Sequence, residues 1–343
     1  MTQPIENPCG DCTNPDSTLA RRDFFRVVGA GAAVAVAAKT APRLMAEVPA
    51  APLPKPAESL IQELHASLSA SQKTQVVMPF NHGPKGGLPT RMGMYNNAVL
   101  GKEIGKIYTK PQIELIDRIV RSTCSGDDGY RQISRGGTWD ASQTFGKCGA
   151  VLFGEPGEGK EYAWLFTGHH LTIRADGNFK DNVAWGGPMY YGHSPNGYSD
   201  KNIFFYQTKK VLEVFDVLDE KQRKKAIVVG NPGEQAGSVK FRKDAETRPG
   251  IALADLTSDQ KTAVETVMRT ILSPYRKEDA DEIMSIVKAN GGMDKVHLAF
   301  FRDKGADENE KWHFWRLEGP GFVWNYRVLP HVHCFVNIGK PIG

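Results

Sequence analysis

The chain lacks most of the features that would place it in a specialised class. Its longest unbroken apolar run, Val27 to Ala38, is 12 residues, and a bilayer span needs about 20, so no membrane span is expected. Cysteines number 5 in 343 residues, too few for a disulfide scaffold. Excess charge is small: 43 Lys and Arg stand against 39 Asp and Glu, a net +4. The basic residues are scattered among acidic ones, so no nucleic-acid footprint appears. There is no H-E-x-x-H, no Walker A loop, no G-x-S-x-G and no Rossmann glycine pattern, which removes the commonest metalloprotease, nucleotide-binding and serine-hydrolase readings. Gly154-Glu155-Pro156-Gly157-Glu158-Gly159-Lys160 resembles a phosphate loop only superficially. Its carboxylates would repel a phosphate, and it reads as a hairpin loop. What remains, 24% charged and 40% hydrophobic, is the composition of a folded chain rather than a disordered one.

The amino-terminal segment reads as targeting. Arg21-Arg22 with Phe24 two residues on, followed by the Gly/Ala/Val run from Val27 to Ala38, is the pattern of a twin-arginine export signal. Residues 1–46 are therefore expected to be the signal, with cleavage between Ala38 and Ala46. Pro49, Pro52, Pro54 and Pro56 make 47–56 an extended linker that cannot hold a helix. Folding is expected to begin at Ala57 and to continue to 343 as one domain. The expected location is periplasmic or secreted, with the twin-arginine translocase as partner during export. Cys9 and Cys12 would leave with the signal. Cys124, Cys148 and Cys334 remain, enough for at most one disulfide.

A weak internal duplication organises the rest. Thr109-Lys-Pro-Gln112 and Thr257-Ser-Asp-Gln260 each open a helical pattern with a capping box. In both, 13 residues separate the Gln from a final Ser, Ser125 or Ser273. Ile116, Ile119 and Val120 match Val264, Val267 and Met268 as one buried stripe. Each copy then reaches a short apolar strand, a loop and a Trp-to-Gly strand: Trp164 to Gly168, and Trp315 to Gly319. The related halves span about 109–174 and 257–328. Between them helices are expected over Asn202–Leu218 and from Leu218 on, and a further one over Glu278–Asn290. The sum is six or seven helices and six to eight short antiparallel strands, an α+β fold with helices packed on antiparallel sheet.

Candidate chemistry rests on histidine. In the strand His331-Val-His-Cys-Phe-Val-Asn-Ile338, alternate residues share a face. Val332, Cys334, Val336 and Ile338 claim the core, leaving His331 and His333 on the other face, about 7 Å apart along the strand. Two histidines on one strand face begin a Zn or Cu site. Gly168-His169-His170-Leu171 ends the first Trp–Gly strand, and a bulge at Gly168 would bring both imidazoles to one side. His193 could close a third wall. One of His169 and His170 is expected beside His331 or His333. The leading expectation is an exported metal protein, a metal-dependent hydrolase or oxidoreductase, with ligands drawn from His169, His170, His331, His333 and His193. The rival is a non-catalytic periplasmic binding protein whose cleft, lined by Trp164, Trp185, Tyr190 and Tyr191, stacks on a saccharide-like small molecule. His65, His82, His297 and His313 read as structural.

Leu68-Ser-Ala-Ser-Gln72 before Pro79-Phe80, Trp164-Leu-Phe-Thr-Gly-His-His-Leu171, Tyr190-Tyr-Gly-His-Ser-Pro195, Gly319-Pro-Gly-Phe322 and His331-Val-His333 follow one another along the chain. In that order they resemble the domain of unknown function 3500 family, from about Ala57 to the end. The resemblance implies no established activity. This chain departs from the family pattern at Asn325, where members carry an acid, and at Asn337, where they carry an arginine. An acid and an arginine would serve a hydrolytic mechanism as base and charge stabiliser.

Overall fold

A computed structural model describes residues 57–83, 89–157, 159–176, 189–234, 242, 244–304 and 312–339. The expected signal, its cleavage site, the linker and Trp185 lie outside them. The first stretch runs α1 (Ala57–Ser67), α2 (Ala70–Val76), β1 (Val77–Met78), α3 (Ile104–Ile107), α4 (Lys110–Ser122) and α5 (Gly126–Ile133). Four strands follow: β2 (Gly149–Gly154), β3 (Tyr162–Gly168), β4 (Leu171–Ala175) and β5 (Met189–His193). The second stretch runs α6 (Phe205–Val217), α7 (Glu220–Ala226), β6 (Ile227–Val229), β7 (Ile251–Ala252), α8 (Ser258–Leu272) and α9 (Lys277–Ala289). It ends in β8 (His297–Arg302), β9 (Phe314–Gly319), β10 (Phe322–Arg327) and β11 (Val332–Ile338). The fold is α+β, with more elements than the sequence pattern promised. Among the described residues no helix is long and apolar enough to cross a membrane.

All strands join one sheet in the order β1-β2-β3-β4-β5-β11-β10-β9-β8-β6, with β7 attached to β8. β1 is parallel to β2 and β6 to β8, while the other pairings are antiparallel. Read from either end, the order therefore runs alike to the central β5–β11 pair. The helix starts run alike too. Gln112 and Gln260 close the capping boxes of α4 and α8. Gln112 also bonds Gln72, the capping-box residue of α2, and Gln260 bonds Gln222, its counterpart in α7.

The helices pack on one face of the sheet, where the main core lies. Ile116, Ile119 and Val120 of α4 and Val264, Val267 and Met268 of α8 meet Trp164 and Phe166 of β3, Trp315 of β9, and Trp324 and Tyr326 of β10 there. Residues of opposite parity point to the other face, which among the described residues carries only small apolar clusters such as Val151, Phe153 and Leu165. In β11 the parity is as the sequence dictated. Val332, Cys334, Val336 and Ile338 enter the main core, and turning the strand over would forfeit about 1–3 kcal/mol for each. The second face is thus left to polar groups, among them Thr172, Arg174, Asn325, Arg327, His333 and Asn337, all buried. Cys124, Cys148 and Cys334 are buried free thiols.

Candidate metal centre

β11 supplies two ligands by its alternation. His331, immediately before the strand, and His333 bring their Nε2 atoms to 2.9 Å. The third imidazole comes from β4's hairpin. Gly168 pairs with Leu171, so His169 and His170 form a two-residue turn, and the expected bulge at Gly168 is not what turns them. His170 adopts φ +50°, a left-handed conformation uncommon for a residue with a Cβ. Its Nε2 lies 3.1 Å from His331 Nε2. The ligand atoms of His170, His331 and His333 all fall within 4.8 Å of one another, and all three residues are buried.

The turn is held from several directions. The His170 N–H donates to Asn96 Oδ1 (2.7 Å) and the His169 N–H to Ser142 Oγ (2.8 Å). Arg135, itself buried, donates from one nitrogen to the carbonyls of His169 (3.3 Å), His170 and Gly192 (2.9 Å). One guanidinium thus ties the β3–β4 turn to β5.

Carboxylates stand behind two of the three rings. His170 Nδ1 lies 2.7 Å from Asp140 Oδ2, and His333 Nδ1 lies 3.1 Å from Glu234 Oε1. A carboxylate can only accept, so each Nδ1 carries the proton and each Nε2 presents its lone pair inward. His331 then holds the one proton shared among three converging nitrogens. A cation can replace that proton. Four-coordinate Zn–N bonds of about 2.0–2.1 Å place ligand nitrogens about 3.3 Å apart, a few tenths beyond what is present. Arg327 competes: its Nη2 donates to His333 Nε2 (2.7 Å), while its Nη1 pairs with Glu234 (2.6 Å). Metal binding at His333 must turn that hydrogen bond away.

The imidazoles are held neutral. Burial, with His333 and His169 adding to it, lowers the His170 pKa to about 3 against the opposing pull of Asp140. Burial, His170 and Arg327 lower His331 to about 3. Burial and Arg327 hold His333 well below the usual range. For Asp140, burial favours the neutral acid, but contacts with His169 and His170 and the charge of Arg135 outweigh it, so its carboxyl stays ionised well below the usual range. Burial raises Glu234, against the opposing pull of Arg327.

Not every expected residue joins this trio. His169 and His193 gather instead around Asp140, on the far side of the His170 ring. Trp164 and Tyr191 line no cleft: both point into the main core, and the Tyr191 hydroxyl donates to Gln207 Oε1. Tyr190, of the other parity, faces the site, stacks on Phe335 at 4.9 Å and meets His333 edge-on. Asp140, Glu234, Arg327 and Arg135 were not anticipated. Asn325 and Asn337 share the sheet face of Arg327 and His333, and Arg327 pairs with Glu234.

No curated protein and no solved structure matches the chain. A family model does, over residues 54–337, and spans the trio, its carboxylates and Arg327. The chain therefore belongs to the family described as protein of unknown function (DUF3500).

Proposed function

We propose that this is an exported protein that binds a divalent transition metal through His170, His331 and His333. The observation that carries the reading is the convergence of three buried Nε2 atoms, two of them oriented by a carboxylate on the opposite ring nitrogen. Such carboxylate–histidine pairs are the usual outer support of a metal ligand. Zinc fits better than an electron-transfer copper centre, which would need a thiolate. The nearest sulfur in sequence, Cys334, points into the core on the other face. Zinc with an open position would polarise a bound water for hydrolysis. Arg327, beside His333 Nε2, would then stabilise developing negative charge, while Glu234 holds the His333 ring and the Arg327 guanidinium in place.

The test is metal analysis of protein exported by its native host. At least one equivalent is expected, and His331→Ala/His333→Ala should hold about one equivalent less than wild type, while Glu234→Gln weakens affinity at that site about 10–100-fold. Metal-free protein from that source would sink the reading and favour the binding-protein alternative, for which the Tyr190–Phe335 stack is the remaining support. Export rests on Arg21-Arg22 before the apolar run. Arg21→Lys with Arg22→Lys should leave precursor in the cytoplasm, and normal export would overturn the twin-arginine assignment.

A further inference from the structure

The far side of the His170 ring carries a second set of ligands that the three-histidine site does not use. Asp140 Oδ2 lies 2.7 Å from His170 Nδ1 and 3.2 Å from His169 Nδ1, and its Oδ1 lies 4.0 Å from His193 Nδ1. The Nδ1 atoms of His169 and His193 are buried and make no hydrogen bond, although each lies within 4.0 Å of an Asp140 carboxylate oxygen. Two buried imidazole nitrogens left without a hydrogen bond beside one ionised carboxylate are groups a cation would satisfy. The ligand atoms of Asp140, His169 and His170 lie within 4.8 Å of one another.

The backbone is bent to make this set. Among the described residues six non-glycine positions have left-handed φ, and five of them are Arg135, Trp139, Asp140, Gln143 and His170. Conformations of this kind persist where the surroundings over-determine them, and they concentrate at functional sites. Here they supply Asp140, the His169–His170 turn and Arg135. The Arg135 guanidinium clamps the carbonyls of His169, His170 and Gly192, so it fixes the turn and the residue preceding His193 together.

We propose that a second divalent cation binds Asp140, His169 and His193, with the His170 ring bridging the two metals through Nδ1 and Nε2. The proposal rests on the metal reading above. Its proton balance is simple. In the singly loaded protein His170 Nδ1–H donates to Asp140. The second cation takes the Nδ1 lone pair and the carboxylate, and the Nδ1 proton leaves to solvent, so the ring bridges as imidazolate. The first site draws on neutral nitrogens alone, whereas the second adds a carboxylate charge.

The full chain, stripped with chelator, is titrated with Cu(II) by equilibrium dialysis and electron paramagnetic resonance. Two equivalents per chain are expected, the second with release of a proton and loss of signal through exchange coupling across the shared ring. His169→Ala/His193→Ala should bind one equivalent and retain a full uncoupled signal. His331→Ala/His333→Ala should keep the other. A wild-type stoichiometry of one overturns the second site and leaves the proposed function standing, whereas a stoichiometry of zero overturns both. Two equivalents with independent, additive signals would overturn the bridge. Two equivalents retained in His169→Ala/His193→Ala would overturn the ligand assignment.

Discussion

Metal-free protein should lose stability steeply as the pH falls from 7 to 5. In the folded state His170 and His331 are held neutral to about pH 3 by burial, helped by His333 and His169 at His170 and by His170 and Arg327 at His331, whereas an unfolded imidazole titrates near 6.5. Between those values the unfolded chain takes up protons that the folded chain refuses, so stability present above pH 6.5 drains away on acidification. The slope is about 1.4 kcal/mol per pH unit for each ring, or about 2 kcal/mol per ring by pH 5. His333 and His193, the latter lowered to about 4 by burial, act in the same direction. Asp140 stays ionised throughout and adds nothing in this window. A loss of about 4 kcal/mol is a large share of a typical 5–15 kcal/mol and corresponds to about 7 °C in Tm for a fold of this size. Circular-dichroism melts of chelator-treated protein at pH 7, 6 and 5 and constant ionic strength would measure it. The reasoning fails if Tm stays within about 2 °C across that range, or if His331→Leu leaves the pH slope unchanged.

Other expectations follow from single groups. Arg135→Lys cannot reproduce a planar fork over the carbonyls of His169, His170 and Gly192. It should cost about 3 kcal/mol or more, read as a lowered urea midpoint, and should weaken metal binding with it. Cys124, Cys148 and Cys334 are buried, with their thiols pushed up to about 12 by burial. A chromogenic thiol reagent should therefore leave all three unlabelled in native protein and label them in denaturant. Metal at a hundredfold excess over its Kd should raise stability by about 2.7 kcal/mol at pH 7, and a chelator should remove the gain. The proposed duplication should appear in an experimental structure as a Cα superposition of Thr109–Gly168 on Thr257–Gly319, with Trp164 of β3 falling on Trp315 of β9.

Where periodicity was strong the sequence was legible. Capping boxes at Thr109 and Thr257 open α4 and α8 as their spacing implied, and the β11 alternation fixed the faces of His331 and His333. The same alternation separates Tyr190 from Tyr191, so a stricter use of it would have kept Tyr191 out of the cleft. β1 and β6 were missed because two and three residues are too few to show a period. Asp140 and Glu234 were missed for a different reason. Asp140 opens a single 3-10 turn and Glu234 lies outside the strands and helices, where no pattern predicts direction, and each reaches its histidine across a long separation in sequence. Arg327 could have been found, since parity on β10 places it on the same face as Asn325.

The sheet's middle position is occupied by its latest strand. β11 lies between β5 and β10, so until it inserts, the earlier strands form two separate blocks, each with an open inner edge. Such edges are templates for mispairing with other chains, and contacts of long sequence separation form slowly. β11 joins β10 through a short hairpin, and its pairing with β5 closes the seam and, in the same step, carries His331 and His333 to His170. Metal retention would then report on the last joining event of the fold, and conditions that loosen the central seam should release the ion before the helices melt.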